Sequence, residues 1–154
     1  MKISLVRIDD RLIHGQVVTS WSKATKCERI IVCNDEVAAN TMRKTLLEQV
    51  APPGIKSNVV SIDKAIRVLN NPKYANIIVL LLFTNPTDVL RLVEGGIELK
   101  TVNIGGMSFK EGKKQVTSTI SVNDKDVEAF KKLDELGIEL EIRKVAGDSK
   151  IKLM

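Results

Sequence analysis

The chain has 154 residues, of which 44% are hydrophobic and 28% are charged, a composition that predicts one globular domain over residues 1–154 with a substantial buried core. Its formal charge of +5 comes from 24 basic and 19 acidic side chains. Because these charges are interspersed and aromatic residues make up only 3% of the chain, the composition argues against a nucleic-acid-binding protein. The longest apolar run, Ile77 to Phe83, is far shorter than the roughly 20 residues of a membrane-spanning helix. The chain opens without a secretory signal, so we expect a cytoplasmic protein.

Apolar runs and stretches of helical spacing alternate along the sequence. The predicted strands lie at residues 3–8, 29–33, 55–62, 77–83, 101–104, 116–122 and 138–142. The predicted helices lie at residues 15–24, 34–50, 63–69, 86–94 and 123–136. Asparagines mark several helix starts, and glycine or proline marks several ends. In the second helix, Ala38, Met42, Leu46 and Val50 fall on one face, which predicts that this face packs against the core.

The alternation of strands and helices, without repeats or a linker, predicts an α/β fold. We expect an open, mostly parallel β-sheet with helices on both faces. Residues 77–83 are all apolar, as is typical of a central strand that is covered on both sides. Residues 138–142 alternate between apolar and charged types, which indicates an edge strand, and we expect an antiparallel strand near this C-terminal edge.

The only histidine, His14, lies between the first predicted strand and the first predicted helix. In open α/β sheets, ligands bind at the carboxyl ends of the strands and helix N-termini attract anions, so this imidazole is well placed to meet a phosphate. A histidine that only satisfies local backbone groups is the alternative, because fold context alone does not establish function. The loops at 83–86 and at Gly105-Gly106 also follow predicted strands, and we expect at least two of the three loops to converge.

Neither a metal nor an organic cofactor is indicated. Cys27 and Cys33 flank a predicted strand without the spacing of metal ligands, and one histidine leaves too few partners for a zinc site. We therefore expect both thiols to be buried and reduced. The sequence contains no Gly-x-Gly-x-x-Gly motif after its first strand and no Walker motif, so nucleotide binding is not expected.

Three segments, 7–17 with Trp21 just beyond it, 34–38 and 103–107, carry a resemblance to a known family. The first segment, Arg-Ile-Asp-Asp-Arg-Leu-Ile-His-Gly-Gln-Val, resembles the phosphorylation-site signature of the IIB components of the mannose/fructose/sorbose family of the bacterial sugar phosphotransferase system (PTS). The other two segments are similar to that family at the expected places. The resemblance therefore covers nearly the whole chain.

The resemblance implies a phosphocarrier enzyme subunit. It implies that the pros nitrogen (Nδ1) of His14 accepts a phosphoryl group from the phosphohistidine of a IIA protein or domain. The group would then pass to a sugar bound by the IIC and IID membrane subunits. The sequence leaves the identity of that sugar open. Such a transfer needs a neutral ring nitrogen and hydrogen-bond donors around the phosphoryl oxygens. Members of the family form homodimers, so the resemblance is also consistent with a homodimer.

Arg11 is the side chain that we expect to assist His14 directly. Its planar guanidinium suits phosphate oxygens or a partner's carboxylate, and its charge favours the neutral imidazole. The resemblance implies the same role, because the family's basic residue at this place contacts the phosphoryl group or the partner. A surface arginine is the alternative. Asp9 and Asp10 both suit either orientation of the histidine ring or capping of the following helix, and capping is the simpler account. Asp10 is kept as a candidate for orienting the ring.

Glycines are the expected phosphate-binding residues. Gly105-Gly106 can turn successive N–H groups toward an anion, an assignment that depends on the resemblance of residues 103–107 to the family's loop. Gly15 permits close approach beside His14, or it only eases the turn. Thr84 and Ser108 are hydroxyl donors between which the sequence does not select.

Two other classes of function share some of these features. A histidine phosphatase or mutase also forms phosphohistidine, but it needs a second catalytic histidine and an arginine directly before the first, where this chain has Ile13. A non-catalytic regulatory module that is phosphorylated on His14 stays open as an alternative. The basic C-terminal segment 143–152 forms either a solvated surface or a face toward a membrane or partner. Within it, residues 144–148 lack a proline that is common in the family.

Overall fold

The structure of the chain is a computed structural model. It describes residues 1–143 and 146–153, and the side chains of all of these except residues 16–18 in the first helix. Lys144, which belongs to the predicted basic segment and to the stretch that lacks the family's proline, lies outside the described residues.

The described residues form nine strands and six α-helices. The strands are β1 Lys2–Asp9, β2 Arg29–Cys33, β3 Lys56–Val60, β4 Ile78–Phe83, β5 Thr101–Gly106, β6 Lys114–Gln115, β7 Ser121–Val122, β8 Glu139–Ile142 and β9 Ile151–Lys152. The helices are α1 Gly15–Thr25, α2 Asp35–Ala39, α3 Thr41–Gln49, α4 Ile62–Asn70, α5 Pro86–Glu94 and α6 Asp124–Glu135, with a turn of 3-10 helix at Pro72–Tyr74. As predicted, Asn34, Asn85 and Asn123 cap α2, α5 and α6 with their side chains.

Seven strands form one open sheet in the order β3-β2-β4-β1-β5-β8-β9. Neighbouring strands are parallel, except that β9 runs antiparallel to β8 at the C-terminal edge. β6 and β7 form a separate antiparallel hairpin. The predicted fold class is therefore confirmed, and β1 lies in the middle of the sheet, where its carboxyl end is flanked by neighbouring strands.

Helices cover both faces of the sheet. Trp21 of α1 and Val37 of α2 belong to a buried cluster on one face, and Val89 of α5 and Phe130 of α6 belong to a cluster on the other. Five of the six residues of β4 are buried, because β4 lies between β1 and β2 and is covered on both sides. This is the central strand that its apolar run predicts.

The prediction of one helix over residues 34–50 is wrong. The chain forms α2 and α3 as separate helices, because Asn40 is extended (φ −95°, ψ 99°) and its side chain caps α3. The break resets the direction in which the second helix points its side chains. As a result Met42, Leu46 and Val50 are 76%, 57% and 53% exposed and do not form the predicted inner face.

Two further predictions near the C-terminal half are wrong. Residues 116–122 do not form one strand but largely a turn between β6 and β7, where the N–H groups of Val116 and Thr117 both donate to the carbonyl of Ile120. Gly105 and Gly106 do not form a loop, because β5 continues through both of them beside β1.

None of the helices among the described residues is long and apolar enough to cross a bilayer. Cys27 and Cys33 are buried and free, as predicted, and burial raises the pKa of both thiols.

Candidate functional site

The candidate site lies where β1 ends and α1 begins. The chain leaves β1 through a turn in which the N–H of Leu12 donates to the carbonyl of Asp9 at 2.9 Å. Leu12 has a φ of 61°, a left-handed conformation that is uncommon for a residue other than glycine. The side chains of Leu12 and Ile13 are buried and anchor this turn in the core. His14 then occupies the N-cap position of α1 in extended conformation, with φ −151° and ψ 139°.

Asp9 is the centre of the site. Its carboxylate is 1% exposed and receives two side-chain hydrogen bonds from Arg11, from Nε to Oδ1 at 3.0 Å and from Nη2 to Oδ2 at 3.0 Å. The backbone N–H of Arg11 also donates to Oδ1, at 3.1 Å. The ring of His14 approaches the same carboxylate, with Nε2 at 3.3 Å from Oδ2. Asp9 therefore joins the two predicted catalytic residues, His14 and Arg11.

The charge on Asp9 fixes the tautomer of His14. Burial by itself raises the pKa of the Asp9 carboxyl, but the hydrogen bonds and charge of Arg11, together with the charge of Arg7, outweigh burial and hold that pKa below its usual value. Asp9 is thus ionised at neutral pH and can only accept a hydrogen bond. Nε2 of the neutral His14 ring must then carry the proton. Nδ1 is left with a lone pair, and the ring makes no capping hydrogen bond to α1.

Arg7 supports Asp9 from beneath the site. Its guanidinium is 2% exposed, and its Nη2 lies 3.4 Å from Oδ2 of Asp9. Its Nη1 donates to the side-chain oxygen of Asn103 and, at 2.7 Å, to the carbonyl of Arg143. The ring centroid of Trp21 lies 5.2 Å from its Cζ. Burial lowers the pKa of Arg7 to about 10, so the side chain stays charged at neutral pH.

The structure gives the orientation of the ring to Asp9, not to the predicted Asp10. The Asp10 carboxylate instead accepts the backbone N–H of Ser108 at 2.7 Å and the Ser108 hydroxyl at 3.0 Å. The N-cap position of α1 belongs to His14 and not to Asp9 or Asp10. Asp10 thus joins the turn after β1 to the segment after β5. Its N–H also donates to the carbonyl of Gly106 at 3.1 Å. The segments of the first and third predicted loops therefore do converge, although Gly105 and Gly106 themselves belong to β5.

The predicted phosphate-binding glycines lie around these residues. A Cβ atom at Gly105 would overlap the guanidinium of Arg7, and one at Gly106 would lie 3.2 Å from both Nη2 of Arg11 and Oδ1 of Asp9. Neither glycine has a positive φ. The close approach of the two arginines therefore explains both glycines without a ligand, and their binding of phosphate stays a prediction. Gly15 differs, since its φ of 45° favours glycine and nothing lies within 4 Å of its added Cβ.

The two hydroxyl candidates are placed differently. The Thr84 hydroxyl accepts N–H groups from the side chains of Asn34 and Asn85, each at 3.0 Å. The Ser108 hydroxyl is bound to Asp10. Ser108 is consequently the one that is joined directly to the turn carrying His14.

Sequence reasoning missed Arg7 and did not choose Asp9 over Asp10. A signal was present, because Arg7 and Asp9 are two positions apart in a strand whose neighbours are apolar. Residues at this spacing point to the same face of a sheet, so two buried charges of opposite sign predict a pair. Among the described residues, no cluster of histidine, cysteine, aspartate or glutamate could hold a metal ion.

The sequence model described as "PTS system sorbose subfamily IIB component" matches residues 3–154. The chain belongs to this family. It is therefore a IIB component of a PTS.

Curated relatives and solved structures are similar along all or nearly all of this chain. The mannose-specific EIIAB component of Escherichia coli K12 is 64% identical over 154 residues, which are 100% of this chain and 48% of the relative. This chain thus spans about half the length of that relative. The sorbose-specific EIIB component of Klebsiella pneumoniae is 52% identical over 100% of this chain and 94% of the relative. The crystal structure of the IIBSor domain of the sorbose permease from Klebsiella pneumoniae has a TM-score of 0.97 at 52% identity, covering 99% of this chain and 94% of that chain. The N-acetylgalactosamine-specific IIB component 1 of Escherichia coli has a TM-score of 0.90 at 35% identity, covering 99% and 100%.

Proposed function

We propose that Nδ1 of His14 accepts a phosphoryl group from the phosphohistidine of a IIA protein and passes it to a sugar that is held by IIC and IID membrane subunits. The observation that carries this proposal is the contact between His14 Nε2 and the ionised Asp9. Because this contact places the ring proton on Nε2, it leaves Nδ1 as the nucleophile.

Each transfer balances without a cofactor. In the first step the Nδ1 lone pair forms a bond to phosphorus while the bond between phosphorus and the donor histidine breaks, and that histidine recovers its lone pair. In the second step a sugar hydroxyl attacks phosphorus, the Nδ1–phosphorus bond breaks, and the hydroxyl proton is released. Phosphoryl transfer depends on positioning and on hydrogen-bond donors around the phosphoryl oxygens. The chain can supply both.

The geometry of the Arg11 side chain supports its proposed role. Two of the five N–H groups of a guanidinium bind Asp9, which leaves three for phosphoryl oxygens or for a partner. The Arg11 side chain is 48% exposed, so a phosphate at the surface can reach it. Its partner Asp9 fixes the plane of the guanidinium, and that lowers the entropy that the side chain would lose on binding phosphate.

The N-terminus of α1 is a second source of donors. The His14 ring at the N-cap of α1 makes no capping hydrogen bond, and the first N–H groups of a helix have no partner within the helix. The N–H of Gly15 is therefore proposed as a donor to an anion next to His14. Gly105 and Gly106 are proposed as further donors. A direct test compares the amide NMR shifts of both glycines and of Met107 before and after phosphorylation. If they stay in place while residues 13–16 move, β5 does not bind the phosphate.

The relatives support the choice of partners. The name of the Escherichia coli relative, EIIAB component, joins IIA with IIB, and this chain covers 48% of it, which supports a IIA protein or domain as phosphoryl donor. The similar Klebsiella pneumoniae structure is the IIB domain of a sorbose permease, which supports an acceptor at a membrane permease. We infer that the IIB component acts on the cytoplasmic side of such a permease. The homodimer stays a prediction.

The test uses radioactive phosphoryl transfer from a phosphorylated IIA protein. The unchanged chain should acquire an acid-labile, base-stable phosphate, and His14→Ala should fold normally and acquire none. Adding membranes with IIC and IID should then yield sugar phosphate. Labelling of His14→Ala would overturn the assignment. A chain that is labelled on His14 but supports no sugar phosphorylation would be a regulatory module.

A further inference from the structure

A row of buried polar side chains crosses three neighbouring strands and ends at His14. Glu141 of β8 accepts, at Oε1, the side-chain N–H of Asn103 of β5 at 3.1 Å. Asn103 accepts, at Oδ1, the Nη1–H of Arg7 of β1, whose Nη2 lies 3.4 Å from the Asp9 carboxylate. The backbone register aligns this row, because Arg7 is paired with Asn103 and Asn103 with Glu141.

The row lies where a parallel sheet ordinarily carries apolar residues. Asn103 is 0% exposed, Arg7 2% and Glu141 4%. Strands that are covered on both faces are usually apolar throughout, and replacing buried ion pairs by packed apolar side chains is often neutral or stabilising. Stability alone therefore does not account for this row, which directs attention to the site at its end.

The donors and acceptors of the row can be arranged in only one way. A carboxylate accepts and a guanidinium donates. Asn103 must therefore point its NH₂ group at Glu141 and its oxygen at Arg7. That oxygen fixes Nη1 of Arg7, and because the guanidinium is planar, it also fixes the direction of Nη2 toward Asp9.

Other contacts keep Glu141 in place. Its carboxylate accepts Nη2 of Arg143 at 3.1 Å and Nζ of Lys150 at 3.3 Å. Burial by itself raises the pKa of Glu141, but the hydrogen bond from Asn103 and the charges of Arg143 and Lys150 outweigh burial and hold it below its usual value. The basic C-terminal segment thus contacts the carboxylate at the far end of the row.

We propose that Asn103 and Glu141 are positioning residues for phosphoryl transfer. They set the orientation of Arg7, and through Arg7 and Asp9 they hold His14 in the tautomer that has its lone pair on Nδ1. This inference rests on the proposed function of His14 and extends it to residues that touch neither the phosphate nor the ring.

The test compares Glu141→Gln with Glu139→Gln. Both residues lie on β8 and both contact Lys150, Glu139 at 3.5 Å, but Glu139 is half exposed and is no part of the row. In Glu141→Gln, the single side-chain oxygen is drawn to the two cations Arg143 and Lys150, so the NH₂ group faces Asn103. Asn103 must then turn its own NH₂ group toward Arg7, a contact between two donors.

Glu141→Gln should lower the rate of phosphorylation at saturating phosphorylated IIA protein on the order of tenfold or more, as expected when a reacting group is misplaced, without raising the KM for the donor. The ring ¹⁵N shifts of unphosphorylated His14 should show that the proton has partly moved from Nε2 to Nδ1. Glu139→Gln should match the unchanged chain in both measurements. Circular dichroism checks that all variants fold. A second variant, Asn103→Ala, removes the acceptor for Arg7 and should reproduce the loss of rate.

The two proposals fail differently. If the unchanged chain is labelled on His14 but Glu141→Gln equals Glu139→Gln in rate and in ring ¹⁵N shifts, the positioning role is overturned while the proposed function stands. If the unchanged chain is not labelled on His14, the proposed function itself is overturned.

Discussion

Nε2 of His14 lies 3.3 Å from Oδ2 of Asp9, a carboxylate that is 1% exposed and bound by two arginines. This contact selects the ring nitrogen that can react. Replacing Asp9 by asparagine should lower the rate of phosphorylation by more than about tenfold, because an amide can offer its NH₂ group to the ring and so favour the wrong tautomer.

The matched control for this substitution is Asp10→Asn. Asp10 is adjacent in sequence but binds Ser108, so the rate should change far less. Single-turnover rates with phosphorylated IIA protein decide between the two. Equal losses of rate in both variants would show that Asp9 does not orient the His14 ring.

Asp9 should also contribute to stability in a pH-dependent way. Its pKa is lower in the folded protein than in the unfolded chain, so folding favours the ionised form. That contribution is fully present above the unfolded-state value of about 3.9 and is lost as the pH falls through the lower folded value. The difference in free energy of unfolding between the unchanged chain and Asp9→Asn should therefore be larger at about pH 6 than at about pH 3. A difference that is the same at both pH values, measured by denaturant titration, would contradict the ionised pair.

Arg11→Ala should affect transfer much more than folding. Loss of a charge-assisted donor to a transferring phosphoryl group should slow transfer at least about tenfold. The effect on stability is limited, because Arg11 is 48% exposed and Arg7 stays beside the buried Asp9 carboxylate. Arg91→Ala is the matched control, because Arg91 is 40% exposed and binds Asp35 at 2.8 Å, on another part of the surface. Arg11 would be only a surface charge if both variants transferred at the unchanged rate.

The sequence predicted the fold class better than the details of the site. Alternating apolar runs and capping asparagines mark the strands and helices because burial and capping act locally. They failed at α3, where Asn40 restarts the helix and turns Met42 and Leu46 outward. His14 and Arg11 could be chosen from the sequence, since only one histidine exists and Arg11 is close to it in the chain. Which aspartate contacts the His14 ring depends on the turn at Leu12, whose left-handed conformation cannot be predicted from the residue types alone.

Gly105→Ala should damage both stability and transfer. The added methyl group overlaps the buried guanidinium of Arg7, and overpacking of this kind costs about 1–3 kcal/mol. Displacement of Arg7 should also disturb Asp9 and slow the phosphorylation of His14. Gly147→Ala serves as control, because nothing lies within 4 Å of its added Cβ. Thermal unfolding and transfer rates measure both effects. A Gly105→Ala variant that is as stable and as active as Gly147→Ala would show that Arg7 need not occupy the space beside β5.

The most direct measurement determines which nitrogen of His14 carries the phosphoryl group. The chain has one histidine, so a long-range ¹H–¹⁵N NMR spectrum of the uniformly ¹⁵N-labelled protein contains a single pair of ring nitrogens. After phosphorylation by a phosphorylated IIA protein, phosphorus should be bonded to Nδ1, with Nε2 still protonated toward Asp9. Phosphorus on Nε2 would contradict the assignment of the Asp9 contact, and an unchanged ring spectrum in a protein that has taken up phosphate would contradict His14 as the acceptor.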